Sequence, residues 1–338
     1  MAQSDQQPDQ AVSSEVTSAA AAPAPATPAQ QILSSWIAAD PLSLELLEKA
    51  KRVAASASTV LIRGESGVGK ELLASLIHYL GAGRDEPLVK IDCASLPREL
   101  MESELFGYER GAFTGATQTK RGRLELAGAG TLVLDEIAAL TPAMQAKLLR
   151  VLEEKRFERL GGNRPVTLAA RIIALTNSEL EQAVAAGAFR QDLFYRLNVI
   201  PLVVPPLRER RGDIRPLIGH FIPRLAELHR RSAPQVSPAA LALLQAYDYP
   251  GNVRELRNLL ERVLVQSQSP QIHPADLPQL PAGSPTMTLK ERERAYIAEV
   301  LDATRGKKGR AAEILGISRK TLLEKRKRYR LDDGGENG

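Results

Sequence analysis

Apolar residues in the first two thirds of the chain fall into short, mainly apolar runs without strict alternation. These runs are rich in Val, Leu and Ile, and they occupy residues 59–62, 88–93, 131–137, 171–176 and 199–204. Strands buried on both faces of a parallel sheet have this composition. Helical spacing fills the segments between the runs, so the pattern predicts an α/β sandwich built from strand–helix units.

Beyond residue 208 the strand-like runs stop and helical periodicity replaces them. Residues 214–229 carry apolar side chains at the spacing of an amphipathic helix. Ser237 followed by Pro238 is typical of the start of a second helix, and Asn252 with Glu255 resembles a capping arrangement at the start of a third. We therefore expect a small helical domain after the sheet.

Residues 288–331 are again helical in pattern, and their second half has the proportions of a helix-turn-helix. We expect a helix over 310–315, a tight turn at 316–317 and a second helix over 318–329. The small core of this unit is expected to consist of Ala311, Ala312, Leu315, Ile317 and Leu322.

Composition places the domain boundaries. The first 31 residues are rich in Ala, Pro, Gln and Ser and bury too little apolar surface to become ordered, while prolines mark a linker after residue 269. The expected order is a disordered tail at 1–31, an α/β subdomain at 32–212, a helical lid subdomain at 213–269, a linker at 270–286, an all-α helix-turn-helix domain at 287–331 and a flexible tail at 332–338.

The net charge of +5 is unevenly spread over the 338 residues. Residues 305–330 hold eleven Lys or Arg and two Glu, a net charge of +9, which leaves −4 for the rest. A basic end on a mildly acidic body indicates a nucleic-acid contact. A solvated helix face or a flexible basic tail is the alternative.

Several features exclude secreted and membrane classes of protein. The single cysteine, Cys93, rules out an internal disulfide framework and suits a reducing cytoplasm. The sequence shows neither an apolar run long enough to span a membrane nor a basic, apolar signal peptide, since its first basic residue is Lys49. We expect a cytoplasmic protein without a membrane partner.

Residues 64–71 fit the phosphate-binding pattern G-x-x-x-x-G-K. The fixed positions are Gly64, Gly69 and Lys70, in the run Gly64, Glu65, Ser66, Gly67, Val68, Gly69, Lys70 and Glu71. A strand precedes the loop and a helix follows it, so backbone amides and the helix N-terminus would face phosphate oxygens, and the lysine would reach the β- and γ-phosphates. The pattern predicts a nucleotide triphosphate site. A Gly-rich turn that only starts a helix is the alternative.

Paired carboxylates follow the third apolar run, about 65 residues after the phosphate loop. Asp135 is suited to hold Mg²⁺ and Glu136 to polarise the attacking water. An Asp-Glu pair at a loop entrance is the alternative for this motif taken alone. The order of the two motifs favours a phosphate-loop ATPase.

Three further motifs allow two interpretations each. Thr176 and Asn177 end a strand, where they orient water or phosphate, or only cap the strand. Arg190 and Arg196 stabilise charge on the γ-phosphate from a neighbouring subunit, or form surface salt bridges. A glycine-flanked loop presents an aromatic side chain to a partner protein, or is a buried turn, and it consists of Gly111, Ala112, Phe113, Thr114, Gly115 and Ala116.

These motifs together give the chain a close resemblance to the bacterial enhancer-binding proteins, the AAA+ ATPases that activate sigma-54 RNA polymerase. The resemblance covers residues 33–331 and rests on the segments 64–71, 104–107, 111–116, 130–136, 189–196 and 250–256, of which 111–116 is nearly diagnostic. It implies the AAA+ P-loop ATPase sandwich, with ATP and Mg²⁺ as ligands.

The resemblance also implies roles for individual residues. Segment 111–116 would contact sigma-54, Thr176 and Asn177 would form the first sensor, Arg190 and Arg196 would act in trans, and Arg254 would be the second sensor. In the family Glu follows the lysine of the phosphate loop, as Glu71 does here. The family usually has Asn before the Cys-Ala of the second strand, where it couples γ-phosphate sensing to the catalytic Glu; Asp92 stands there, so the coupling stays open.

The basic C-terminus resembles a Fis-type helix-turn-helix that binds double-stranded upstream DNA. The N-terminal turn of its second helix would face base edges, and other basic residues would meet phosphates. The candidate DNA-binding residues are Lys307, Lys308, Arg310, Ser318, Arg319, Lys320, Lys327 and Arg328.

The expected function is ATP-driven remodelling of the sigma-54 closed complex into an open one by a homo-oligomeric, hexameric ring. No receiver or other sensory domain precedes the ATPase in this sequence, so we expect regulation by a protein in trans, by the tail or by expression level. The rival functions are a DNA-binding regulator without catalysis and an AAA+ remodeller of other proteins.

Overall fold

The computed structural model describes residues 28–267, 269–278, 296–297, 300–301, 304, 308–317 and 319–329. The expected tail at 332–338, residues 1–27 of the expected tail at 1–31 and residues 279–286 of the expected linker lie outside these residues. The tail prediction is wrong at 28–31, which begin a helix, and the linker prediction is wrong at 270–278, where Ile272 and Leu277 pack into the core of the helical domain. Over residues 28–213 the helices are α1 Pro28–Ser35, α2 Pro41–Ala54, α3 Lys70–Leu80, α4 Arg98–Phe106, α5 Arg123–Leu126, α6 Pro142–Glu154, α7 Leu180–Ala185 and α8 Gln191–Leu197. The strands are β1 Val60–Arg63, β2 Leu88–Asp92, β3 Gly107–Tyr108, β4 Lys120–Arg121, β5 Thr131–Asp135, β6 Arg156–Glu158, β7 Pro165–Thr167, β8 Arg171–Thr176 and β9 Ile200–Val203.

The central sheet has five parallel strands in the order β2-β5-β8-β1-β9. These are the five apolar runs of the sequence, so the predicted α/β sandwich is confirmed. Apolar cores cover both faces of the sheet; Leu61, Leu132 and Leu134 face one of them, and Val60, Ile62 and Val133 face the other. Alternate strand residues thus enter opposite cores, which is why the runs are mainly apolar without strict alternation.

Parallel strands carry their C-terminal residues to one edge of the sheet. Asp92 pairs in register with Asp135, and Arg63 with Thr176. Residues that directly follow the strands therefore lie side by side at this edge, as ligand-binding residues do in open α/β sheets.

Two short antiparallel hairpins leave the sandwich and lie against each other. Strands β3 and β4 flank the loop that contains residues 111–116, and β6 pairs with β7. The Glu109 amide donates to the Leu160 carbonyl at 2.9 Å, and the Leu160 amide to the Gly107 carbonyl at 3.0 Å. The apolar pattern did not indicate these hairpins because their strands are only two or three residues long.

The helical domain has three helices, α9 Ile214–Leu228, α10 Pro238–Ala246 and α11 Asn252–Gln266, and a small pair of strands, β10 Gln235–Val236 and β11 Gln271–Ile272. Ser237 caps α10 as expected, its Oγ accepting from the Ala240 amide at 3.2 Å. The capping interpretation of Asn252 is wrong. Gly251 is the N-cap, and its amide donates to the Glu255 carboxylate. The Asn252 side chain does not bond to its own helix but donates to Glu65 in the phosphate loop.

The C-terminal unit contains α12 Lys308–Ile314 and α13 Arg319–Tyr329, joined by a turn in which Gly316 has φ +63°. Its core combines Ala311, Ala312 and Leu322 with Leu315 and Ile317 at its edge, as predicted. Tyr329, Ile297 and Val300 complete it. None of the helices in the described part of the chain is long and apolar enough to cross a membrane.

Candidate functional site

The phosphate loop joins β1 to α3 at the C-terminal edge of the sheet. Its three glycines have left-handed or otherwise positive φ, at +148° for Gly64, +78° for Gly67 and +105° for Gly69. Residues with a Cβ rarely adopt these angles, so the glycines are required for the loop to curl. Lys70 opens α3, is buried, and donates from Nζ to the carbonyls of Gly64 at 2.9 Å and Glu65 at 3.1 Å.

The paired carboxylates of β5 lie opposite this lysine. Lys70 Nζ is 4.0 Å from Glu136 Oε1. Burial lowers the pKa of the Lys70 ammonium, and the carboxylates of Glu136 and Asp135 oppose that shift. Burial raises the pKa of Asp135, although its Oδ1 accepts the Glu136 amide at 2.9 Å. Burial and the nearby carboxylates of Glu71 and Glu136 disfavour the charged form of Asp135, so a further cation beside it would be favoured.

Of the two residues expected to form the first sensor, Asn177 contacts Glu136 through its backbone amide. Glu136 has φ +50°, a conformation unusual for a residue with a side chain, and its Oε2 accepts the Asn177 amide at 3.3 Å. Thr176 is fully buried and its Oγ1 accepts the Ser178 amide at 3.0 Å. The structure thus brings the ends of β5 and β8 together around one carboxylate.

Side chains of the lid and of the segment leading to it contact the phosphate loop from the other side. Arg254 Nη1 donates to Ser66 Oγ at 3.0 Å, and Arg208 forms a bidentate pair with Glu65 at 2.6 and 2.8 Å. Asn252 Nδ2 donates to Glu65 Oε2 at 3.0 Å and to the Ser66 carbonyl at 3.1 Å. The loop is therefore clamped between sheet and lid.

Gly67 is where lid and loop come closest. A Cβ at this position would lie 2.4 Å from the Gly251 carbonyl oxygen and 3.0 Å from Arg254 Cβ. The glycine is therefore required by contact as well as by backbone angle.

A buried charge cluster fixes the root of the lid. Arg210 donates from Nη2 to the Val68 carbonyl at 2.6 Å, and its Nη1 is 3.6 Å from the fully buried Asp213 carboxylate. Asp213 also accepts the amides of Ala39 at 2.7 Å and Asp40 at 2.8 Å, and the Ser43 hydroxyl. The sequence pattern did not identify Arg208, Arg210 and Asp213 as residues that hold the phosphate loop. The only sign of them in the sequence is the charged run at 208–213.

These groups enclose a cleft of about 310 Å³. Its lining is Ser66, Gly67, Gly69, Lys70, Glu71, Asp135, Glu136, Phe221, Val253, Arg254, Arg257 and Asn258. Glu71 also lies 3.6 Å from Lys90 Nζ. Among the described residues no cluster of three or more His, Cys, Asp or Glu side chains forms a preformed metal site. Mg²⁺ is usually held by one or two carboxylates together with substrate phosphates, and Asp135 beside the phosphate loop fits that requirement.

Arg190 and Arg196 lie outside the cleft lining of their own chain. Arg190 directly precedes α8, its side chain is 47% exposed, and it pairs with Asp192 at 2.7 Å. Arg196, also exposed, donates to the Leu152 carbonyl at 3.0 Å. Arg190 and Asp192 line a shallow surface pocket together with Gln191 and Tyr195.

Asp92 ends β2 next to Asp135, and its side chain turns back on its own chain. Its Oδ1 accepts the amides of Ala94 at 2.9 Å and Ser95 at 3.2 Å. Glu136 instead accepts the backbone amide of Asn177, whose own side-chain oxygen accepts the Ser178 hydroxyl.

Segment 111–116 forms a compact turn of its own. The Gly111 amide donates to the Ala116 carbonyl at 2.8 Å, and the Ala116 amide to the Phe113 carbonyl at 3.0 Å. Phe113 is 46% exposed, and its ring lies edge-on to Tyr108 with 4.9 Å between centroids. Thr114 is also exposed and Ala112 is partly exposed, so the alternative of a buried turn is wrong.

The C-terminal basic residues are only partly described. Lys307 and Ser318 lie outside the described residues, as do the side chains of Lys308, Lys320, Lys327 and Arg328. Arg310 and Arg319 are exposed. The Arg319 guanidinium packs over α12, since a Cβ at Gly309 would lie 2.6 Å from its Nη2.

Three family models match the chain in series. They are the sigma-54 interaction domain over residues 36–203, the AAA+ ATPase lid domain over 208–292, and the bacterial regulatory protein of the Fis family over 288–329. The chain is 42% identical to the regulatory protein AtoC of Escherichia coli K12, over 90% of this chain and 70% of AtoC. It is 45% identical to the transcriptional regulatory protein ZraR of the same organism, over 89% of this chain and 70% of ZraR.

Among solved structures, the chain is similar to NtrX from Brucella abortus in complex with ATP. That match has a TM-score of 0.68 and 35% identity, and covers 87% of this chain and 69% of NtrX. The complex of the same protein with ADP gives a TM-score of 0.68 and 36% identity.

The fold and the site define an AAA+ ATPase with a lid and a helix-turn-helix. The chain belongs to the family that carries the sigma-54 interaction domain. It is a sigma-54-dependent transcriptional activator, which hydrolyses ATP to remodel sigma-54 RNA polymerase and carries a Fis-type DNA-binding domain.

Proposed function

We propose that this activator hydrolyses ATP at sites shared between neighbouring subunits of a hexameric ring, and that segment 111–116 carries the resulting movement to sigma-54. The observation that carries this proposal is the division of the catalytic groups. Lys70 and Glu136 face each other across 4.0 Å inside the cleft, whereas Arg190 is exposed and outside it.

Within one subunit the residues of the cleft have distinct tasks. The phosphate-loop amides and Lys70 bind the β- and γ-phosphates, while Asn177 holds Glu136 where its carboxylate polarises the attacking water. Asp135 would hold Mg²⁺, which when bound neutralises charge on the phosphates. Arg254 on Ser66 makes the lid position depend on the state of the phosphate loop.

The neighbouring subunit completes the site. Arg190 and Arg196 stand on or beside one helix, α8, at the surface, so a subunit packed there would receive both at its γ-phosphate. The Arg190–Asp192 pair is exposed and stabilises the isolated subunit little, so breaking it on assembly has a small cost.

The exposed Phe113 and Thr114 are the proposed contacts with sigma-54.

DNA is proposed to bind the basic helix-turn-helix, with Arg319 and Lys320 at base edges and Lys307, Lys308 and Arg328 at phosphates. Arg319→Ala should narrow the difference in affinity between specific and random DNA, whereas replacing Lys307 and Lys308 should flatten the salt dependence for both. Titration at several salt concentrations on both DNAs separates these effects.

We also propose that a separate regulator protein acts on this activator in trans.

The experiment mixes two inactive proteins. Arg190→Ala keeps its own cleft but lacks one of the two proposed fingers, and Glu136→Ala offers both fingers but has an inactive cleft. Random assortment in a ring gives roughly one complete site in four at equal amounts, so ATPase activity should return on mixing. Absence of recovery in mixtures shown to exchange subunits would contradict shared sites.

A further inference from the structure

Arg63 connects three parts of the subunit that the mechanism uses separately. It is the last residue of β1 and directly precedes Gly64 of the phosphate loop. Its side chain is 18% exposed, and its Nη1 lies 2.6 Å from Glu181 Oε1. Its guanidinium carbon lies 5.5 Å from the centre of the Phe194 ring, within the range of a cation–π contact.

The two partners of Arg63 belong to the elements that carry the sensor and the fingers. Glu181 is in the first turn of α7, which follows Asn177, and Phe194 is in α8, which begins after Arg190 and contains Arg196. Arg63 is also paired in register with Thr176 on β8. One side chain therefore touches both helices from the strand that supports the phosphate loop.

Stability alone does not account for this arrangement. The ion pair is half exposed on the Glu181 side, and such pairs contribute little to folding. Arg63 Nε is buried and has no hydrogen-bond partner among the described residues, an unfavourable feature that a purely structural contact would avoid. The hydrogen bond from Arg63 also lowers the pKa of Glu181.

We propose that Arg63 is a positioning residue for the fingers: it fixes α8, and with it Arg190 and Arg196, relative to the nucleotide-binding edge of its own subunit. The inference rests on the proposed sharing of sites. Movement of the phosphate loop in one subunit then shifts the position of Arg190 and Arg196, which that subunit presents to the cleft of its neighbour. Its own cleft does not need Arg63, since the guanidinium points away from the cleft lining towards α7 and α8.

The test adds Arg63→Met to each partner of the mixing experiment in turn. In the Glu136→Ala subunit, which supplies only fingers, the substitution should reduce the recovered ATPase activity about 10- to 100-fold, because small misplacements of a catalytic group have effects of this size. In the Arg190→Ala subunit, which supplies the active cleft, the recovered activity should stay within about twofold of the parent mixture.

Two further proteins keep the comparison interpretable. Arg63→Lys in the finger-supplying subunit retains the charge on Glu181 without the planar guanidinium, so it should recover part of the activity. Arg84→Met removes an exposed arginine whose side chain is 66% accessible and should change neither mixture. Subunit exchange and thermal unfolding are measured for every protein.

An equal loss in both placements, or no loss in either, would overturn the proposal for Arg63 while leaving shared sites intact. A parent mixture of Arg190→Ala and Glu136→Ala that recovers no activity overturns the sharing of sites, and the proposal for Arg63 with it. The asymmetry between the two placements is the decisive readout, because a general folding defect acts in both.

Discussion

Two glycine-containing loops of this ATPase differ in what holds them. The phosphate loop, residues 64–70, is fastened by side chains from distant parts of the chain, including Arg208, Arg210, Asn252 and Arg254. The loop at 111–116 is held within itself by short-range backbone hydrogen bonds, and a Cβ at Gly111 or Gly115 would meet nothing within 4 Å.

This difference corresponds to the two functions proposed for the loops, which are phosphate binding and contact with a partner protein. A loop that binds phosphates must keep its amides in place, since electrostatic catalysis depends on groups that do not reorganise. A loop that engages a partner needs exposed side chains and room to move, as Phe113 at 46% exposure has. Substitutions in the phosphate loop should therefore impair ATP binding or hydrolysis, whereas substitutions at 111–116 should impair the activation of sigma-54 RNA polymerase.

The largest effect is expected at Glu136. Glu136→Gln keeps the shape of the side chain but removes the carboxylate that we propose to polarise water, so ATP hydrolysis should fall about 10²- to 10⁴-fold. Binding of ATP, followed with a fluorescent analogue, should persist. Lys70→Ala is the matched protein that should lose binding as well. Hydrolysis by Glu136→Gln at the wild-type rate would remove this residue from the mechanism.

The next effect concerns the support of the phosphate loop. Asp213→Ala leaves Arg210 buried without its carboxylate and frees the Ala39 and Asp40 amides, which should cost about 3–5 kcal/mol of unfolding free energy. Chemical denaturation measures this. Asp85→Ala is the control, because Asp85 is 90% exposed and its pair with Arg84 should be worth about 1 kcal/mol or less. Equal stabilities of the two proteins would contradict the clamp.

A smaller effect compares one glycine from each loop. Gly67 and Gly115 have φ of +78° and +101°, but only at Gly67 does a Cβ approach another atom, the Gly251 oxygen at 2.4 Å. Gly67→Ala should raise the KM for ATP about tenfold by displacing the lid, a change that corresponds to about 1.4 kcal/mol. Gly115→Ala should leave that KM unchanged. Steady-state kinetics on both proteins decide the matter, and equal KM values would mean that the lid contact is unimportant.

The sequence was sufficient where local pattern determines structure. Buried parallel strands need continuous apolar runs, so all five strands of the sheet were predictable, and the phosphate loop was recognisable because its glycines have fixed spacing. Ser237 was predictable as a cap for the same local reason. The assignment of the fold class followed from these elements together.

The sequence was insufficient where partners are far apart along the chain. Asn252 looks like a helix cap, but its Nδ2 reaches Glu65, 187 residues away. Arg63 and Glu181 are separated by 118 residues, and Arg210 and Val68 by 142. Charge spacing says nothing about such pairs, because the folding of the sheet brings them together. Arg254 was expected near the nucleotide from the resemblance, but Arg208, Arg210 and Asn252 were missed as partners of the phosphate loop for this reason.

The separation of nucleotide chemistry from sigma-54 engagement is tested most directly by Thr114→Ala. ATPase activity and open-complex formation on a sigma-54 promoter should be measured on the same preparation, beside Glu136→Gln. Because Thr114 is exposed and is not among the residues that line the cleft, hydrolysis should stay within about twofold of wild type while open complexes are lost. Full transcriptional activity of Thr114→Ala, or loss of hydrolysis equal to that of Glu136→Gln, would contradict the account.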